Sequence, residues 1–369
     1  MSTAPRLTIN LASLASNWKY LNDKSGTAET SAVLKADAYG LGIGQVAPAL
    51  FEAGCRTFFV AMVEEGIRVR TAAPECRIFV LNGIFRDNID HAMAHNLLPV
   101  LSTIEQIALW TSEGQNQPCA IHVDTGMHRL GLSVNDAEKL AANNLIGPTM
   151  GAKTIMSHFA CADDPEHEHN RLQLEKFWNI ARLFSNLEKS LANSAAILSN
   201  PQSLYDLTRP GIAIYGGEAV NHVSNPMQPV VTAEARILQI STVKKGNKVG
   251  YGAEAVLDRE TKIATVSGGY ADGFHRASSG AGVPLREARP TGGHGWLDGH
   301  LIPVLGRVSM DLTAFDVTDV PEQVLEEAGY VELFGHNILL DDVAGACGTI
   351  AYELLTAMGN RYRREYIKS

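Results

Sequence analysis

With 369 residues, 45% of them apolar and 19% charged, the chain has material for one large or two ordinary core-forming domains. Its formal charge of −9, from 40 acidic against 31 basic side chains, argues against nucleic acid or an anionic membrane as a partner, since both need clustered positive charge. No apolar run reaches membrane-spanning length, no apolar signal core follows Met1, and the five cysteines are scattered without a C-x-x-C pair, so a cytoplasmic protein without disulfides or a cysteine-held metal is expected.

After a short apolar segment, Leu7 to Ile9, strand-like and helix-like stretches alternate. The strands expected are Ala32–Leu34, Thr57–Val60, Ile78–Leu81, Leu97–Val100, Ala120–Val123 and Thr154–Ser157, with Ala192–Ala196 and Ile212–Tyr215 bringing the count to eight. Helices are expected at Gly44–Phe51, Val63–Arg70, Ile89–His95, Thr103–Thr111, Asn135–Ala142 and about His169–Ser190. Short, continuous apolar strands alternating with helices point to a (β/α)8 TIM-like barrel; a doubly wound sheet shares the pattern. From Val230 the chain turns β-branched and glycine-rich, as in Val249-Gly250-Tyr251-Gly252, Lys262–Val266 and Ile302–Leu305, which reads as a mostly antiparallel β domain closed by a helix near Ile350–Met358. The expected division is therefore 1–228 and 229–369, with the first ten or so residues free to pair with the second part. The loops Ser278–Gly282 and Arg289–Gly293 are expected to be exposed.

Chemistry concentrates where strands run into glycine turns. In Ala32-Val33-Leu34-Lys35-Ala36-Asp37-Ala38-Tyr39-Gly40, a buried strand delivers one lysine, Lys35. A partly desolvated lysine loses its proton readily and forms a Schiff base with a carbonyl cofactor; a lysine that snorkels to solvent is the plainer alternative. The stretch His122-Val123-Asp124-Thr125-Gly126-Met127-His128-Arg129-Leu130-Gly131 is too polar for packing alone. Glu166-His167-Glu168-His169 lies in a charged stretch and reads as a solvated helix start rather than a metal site.

These motifs resemble those of alanine racemases, whose K-A-D/N-A-Y-G-x-G segment carries pyridoxal 5′-phosphate on its lysine. The resemblance extends in order through Val123–Gly131, Ser157-His158-Phe159, Ala192-Asn193-Ser194, Thr208-Arg209-Pro210-Gly211-Ile212, Gly269-Tyr270-Ala271-Asp272-Gly273, Gly306-Arg307-Val308-Ser309-Met310-Asp311 and Ile350-Ala351-Tyr352. It implies that Lys35 carries the cofactor and moves a proton on one substrate face while Tyr270 serves the other. It places Tyr39, Asn193, Ser194, Gly211, Ile212 and Tyr352 at the cofactor, mostly its phosphate, and His158 beside the ring. Arg209 then faces the pyridine nitrogen, and Arg129 and Met310 bind the substrate carboxylate. It further implies a head-to-tail homodimer in which Tyr270 and Met310 come from the partner, and D-alanine supply for peptidoglycan. One departure stands out: many racemases have a carbamylated lysine where this chain has His122, which leaves open what holds Arg129. The competing readings are a racemase of broader specificity, a barrel decarboxylase and a non-catalytic cofactor-binding protein. The last two fit poorly, because decarboxylases set a carboxylate where Arg209 stands and the single-barrel carriers lack a second domain.

Overall fold

The structure, a computed structural model, describes residues 3–143 and 150–368. It divides into two compact units, one spanning Leu14–Gln228 and one grouping the chain through Ser13 with everything from Pro229 on.

In the first unit seven strands pair in parallel and in chain order: Ala32–Val33, Thr57–Val60, Arg77–Val80, Leu98–Leu101, Cys119–His122, Ala152–Met156 and Glu188–Ser190. Their apolar side chains are almost wholly buried, as strands covered on both faces require. The segment Leu207–Pro210 closes the ring. On one side Ser31 N and Val33 N each donate over 3.0 Å to Thr208 O and Pro210 O; on the other, Asp206 N and Arg209 N donate to Lys189 O and Ala192 O over 3.1 and 2.9 Å. An eight-stranded α/β barrel results, as expected.

The first six strands lie within about a residue of expectation, but the last two do not. Ala192–Ala196 is not a strand: Asn193 Oδ1 accepts from Ala196 N over 3.0 Å and caps the helix Ser194–Ser199. Ile212–Tyr215 is a 3-10 turn, and the true eighth strand is Leu207–Thr208. The true seventh, Glu188-Lys189-Ser190, is polar because its carboxylate is used: Thr154 Oγ1 donates to Glu188 over 2.8 Å, and Arg77 lies between Glu188 and Glu29, 3.2 and 2.5 Å away. The long helix consequently ends early, running Glu168–Ala181 and then a 3-10 turn to Phe184. The helix Leu11–Lys24, capped by Asn10 through Ser13 N at 2.9 Å, was not anticipated.

The second unit is built on one mostly antiparallel sheet. The long strand Val231–Val243 pairs with Tyr330–Phe334 and Arg6–Asn10 through its first half and with Thr261–Ser267 through its second. Arg6–Asn10 also pairs in parallel with Arg363–Ile367. Val249–Gly252 is not one strand: Lys248–Val249 pairs with Ala255–Val256 across a 3-10 turn at Tyr251–Ala253. Ser278 and Ser279 are fully buried rather than exposed: Ser278 Oγ contacts Cys347 Sγ at 2.8 Å, and Ser279 Oγ accepts from Val308 N at 2.9 Å.

Candidate active site

Lys35 follows the first barrel strand and is half-buried. Its ammonium is pushed below the usual lysine range, first by burial and then by Arg129 nearby. The chain beyond it is unusual: Ala36, Asp37, Ala38 and Tyr39 all have φ of 54–56°. Four consecutive left-handed L-residues cost about 1–2 kcal/mol each, so neighbouring groups must hold the turn. Gly40 N and Gly42 N close it onto Ala36 O and Asp37 O at 2.8 Å, and Asp37 Oδ1 accepts from Ile43 N and from Arg68 over 2.9 and 2.6 Å.

The left-handed turn aims Tyr39 inward, where its ring stacks on Tyr215 with centroids 4.5 Å apart. The Tyr215 hydroxyl donates to Val33 O over 2.8 Å, locking the pair to the Lys35 strand. Gly211 lies against the Tyr39 hydroxyl so closely that any Cβ there would collide with it. Gly211 N and Ala213 N donate to Ser194 Oγ over 2.8 and 3.4 Å, and a bridge joins Asn193 to Arg209. Tyr39, Asn193, Ser194, Gly211 and Ile212 are thus gathered at one end of the barrel, with hydroxyls and backbone N–H groups close together, a donor set suited to a phosphate.

Arg209 is buried and has no carboxylate partner among the described residues. It donates to Ser190 Oγ, to Ser157 O and Leu191 O at 2.5 and 3.3 Å, and to His158 Nδ1 at 3.4 Å. A guanidinium has only donors, so Nδ1 of His158 must accept, which puts any ring proton of the neutral tautomer on Nε2. Burial pushes Arg209 down to about 9, which still leaves it charged at neutral pH. His158 is pushed well below its ordinary value by burial and then by Arg209, Arg129, His122 and Lys35. Gln173 secures this turn, donating to His158 O and accepting from Ala160 N over 2.9 and 2.8 Å.

Arg129 stands at the exposed tip of a loop built by Asp124, whose carboxylate accepts from Gly126 N, Met127 N and His128 N over 2.8–3.1 Å. Burial pushes Asp124 up, but these donors and His128 outweigh it and hold the carboxyl below its usual range. Gly131 returns the chain at φ 123°, where a Cβ would meet Asp124 N at 2.6 Å. Arg129 donates no hydrogen bond to any described residue, and His122 supplies no negative charge to orient it. His122 is pushed down to about 4, first by burial and then by Arg209. Lys35, Arg129, Arg209, His122 and His158 thus form a cationic and imidazole cluster that would be relieved by an anionic ligand.

That depression has a measurable consequence. The unfolded chain protonates His122 near its ordinary value of 6.5, whereas the folded chain resists until about pH 4. Stability is therefore complete above about pH 6.5 and is lost as pH falls toward 4, by up to about 3 kcal/mol from this group. Urea unfolding between pH 7 and 4 should show this slope, and His122→Asn should flatten it.

In the second unit Tyr270 and Met310 sit side by side and exposed: Tyr270 N and Ala271 N each donate over 3.0 Å, to Ser309 O and Met310 O. Arg361 clasps both segments. Its Nε and Nη2 each reach Asp272 at 2.7 Å, and Nη1 reaches Asp311 at 2.6 Å. Asp272 is 2% exposed and Arg361 about half, so Arg361→Ala strands a buried carboxylate that keeps only Gly269 N among the described residues. The expected loss is about 2–3 kcal/mol, read as a lower urea midpoint. Tyr352 lies on the helix Ala351–Ala357 of the same unit. The histidine-rich stretch begins a helix, with His167 Nδ1 accepting from His169 N at 3.2 Å, and His169 Nε2 lies 3.0 Å from Gly126 O.

The full length of the chain matches one family. Residues 9–219 match the model of the alanine racemase N-terminal domain and residues 230–366 that of the C-terminal domain. The chain belongs to the alanine racemase family. It is 50% identical to the alanine racemase of Rhizobium meliloti, over 100% of this chain and 98% of that protein. Agrobacterium fabrum has two relatives: a biosynthetic alanine racemase, 49% identical over 98% of this chain and 93% of that one, and a catabolic one, 40% identical over 98% and 92%. Among solved structures, the Bartonella henselae alanine racemase with covalently bound pyridoxal phosphate superposes with a TM-score of 0.90 at 34% identity, covering 99% of this chain and 100% of that one. Family membership makes the chain an enzyme and removes the non-catalytic carrier as a reading.

Proposed function

We infer that the protein interconverts L- and D-alanine with pyridoxal 5′-phosphate, Lys35 and Tyr270 exchanging the proton on opposite faces of the substrate. The observation that carries this is the barrel-end cluster of Lys35, Arg129 and Arg209, with no carboxylate on Arg209 among the described residues, in a chain that matches both domains of its family. Bound pyridoxal phosphate supplies an electron sink that acidifies the Cα–H of the amino acid attached to it. The residues present suit that group. Lys35 Nζ would hold its carbonyl carbon, and Ser194, Asn193, Gly211, Ile212, Tyr39 and Tyr352 would take its phosphate. His158 would lie beside the ring. Arg209 would offer only N–H to the ring nitrogen and so would keep that nitrogen unprotonated, which would restrain side reactions such as transamination.

Arg129 would bind the substrate carboxylate together with the backbone of Met310. Tyr270 and Met310 would come from a partner copy in a head-to-tail homodimer. Their exposure, at 43% and 53%, supports a second copy covering them. The greater identity to the biosynthetic than to the catabolic relative of one organism supports D-alanine supply for peptidoglycan, in the cytoplasm. Among the described residues no helix is long and apolar enough to cross a membrane.

The test is conversion of enantiopure L-alanine in the presence of added cofactor, with L-serine as competitor. Borohydride trapping followed by peptide mapping should place the cofactor on Lys35. Turnover of serine at the alanine rate would favour the broad-specificity racemase, and absence of any alanine turnover would refute the assignment.

A further inference from the structure

Glu65 belongs to none of the motifs above, yet it touches the backbone on both sides of the barrel end that presents Lys35. It sits in the first turn of the helix Val63–Ala72 and is 7% exposed. Its Oε1 accepts from Ala36 N at 2.6 Å and Asp37 N at 3.4 Å, the two residues directly after Lys35. Its Oε2 accepts from Ala61 N at 2.8 Å and Met62 N at 3.2 Å, at the exit of the adjacent strand. A carboxylate satisfied by four backbone donors is a strong, charge-assisted clamp. Here it joins a left-handed turn, which the local backbone disfavours, to a helix start, which favours an acid.

We propose that Glu65 is a positioning residue for Lys35: it fixes the turn that sets where the lysine side chain emerges. This rests on the reading that Lys35 carries the cofactor and moves a proton. Two consequences differ in kind. Geometrically, the Lys35 nitrogen is held where proton transfer needs it, and small displacements at such a centre cost ~10²-fold in rate. Electrostatically, Glu65 raises the proton affinity of Lys35 against the opposing effects of burial and Arg129.

The test is Glu65→Gln, which keeps the shape but turns an N–H donor toward one pair of backbone donors. Racemisation should lose ~10²-fold in kcat with KM nearly unchanged. In the full-length protein before cofactor loading, the pH at which Lys35 is half-acylated by an amine reagent, read by mass spectrometry, should move lower. A substitution with only a stability effect would leave that profile in place. Glu65→Asp, which keeps the charge, should retain the wild-type profile and urea midpoint while still losing kcat with KM nearly unchanged; if Glu65→Gln does not fold, that loss at wild-type stability carries the test, and wild-type kcat in Glu65→Asp overturns the proposal. Wild-type kcat together with a wild-type acylation profile in Glu65→Gln would overturn the proposal. Lys35→Ala separates the two readings: if it still racemises alanine, the role of Lys35 fails, whereas an inactive Lys35→Ala beside a wild-type-like Glu65→Gln sinks the Glu65 clamp alone.

Discussion

Lys35→Ala is expected to abolish alanine racemisation, by ~10⁴-fold or more, while the protein stays folded. On the proposed reading the substitution removes both the covalent anchor of the cofactor and one of two proton-moving groups, and the second loss alone is worth ~10²–10⁴-fold. Stability should not fall with activity, because Lys35 sits among like charges and its ammonium is disfavoured there by burial and Arg129. Its removal relieves repulsion and leaves the turn at Ala36–Tyr39 with its own hydrogen bonds. The measurements are D-alanine formation and the urea midpoint on the same preparation. Activity within tenfold of wild type would refute the role, and a collapsed midpoint would show that the lysine was structural.

Tyr270→Phe is the second large effect, and it has a distinctive signature. If Lys35 and Tyr270 work on opposite faces, losing the phenol should depress interconversion by ~10²–10⁴-fold while Lys35 still exchanges hydrogen on its own face. Solvent deuterium should therefore enter one enantiomer of alanine at a rate that outlasts racemisation. Equal loss of exchange and of racemisation for both enantiomers would mean that a single group serves both faces. The substitution should scarcely change the stability of the individual chain, in which the Tyr270 side chain is exposed and its segment is held by backbone bonds to Ser309 and Met310.

The sequence exposed the chemistry more readily than the architecture. Lys35 and Arg129 stand out in the sequence because a charged side chain beside a glycine turn at the end of an apolar strand has few structural reasons to be there, whereas Arg209 stands out only through the family resemblance. The last two strands were illegible because their evidence is inverted. Glu188-Lys189-Ser190 looks like surface until Arg77 and Thr154 are seen to satisfy Glu188, whereas Ala192–Ala196, small and partly polar, reads as a strand only because an eight-stranded count needs one there. The signal against it is Asn193, a good helix N-cap. Glu65 was hidden differently: an acid in the first turn of a helix is ordinary, and only the fold shows that its second oxygen reaches the Lys35 turn. His122 departs from the family pattern, and the group it places beside Arg129 is an imidazole held neutral by burial rather than an acid.

The closing segment Leu207–Pro210 has a bearing on how the protein is made. The bond from Tyr215 to Val33 spans 182 residues, so the pocket joins the earliest and latest parts of the barrel to be synthesised. A chain emerging from the ribosome displays Lys35 long before Ser194, Arg209 and Gly211 exist to surround it, and contacts of such long range form late. If the protein binds pyridoxal phosphate as proposed, cofactor capture should then report completion of the ring, and by binding only the closed form it would stabilise that closure by mass action. Cells short of pyridoxal phosphate would be expected to accumulate protein whose first and last strands part more easily, and which proteases cut first near that seam.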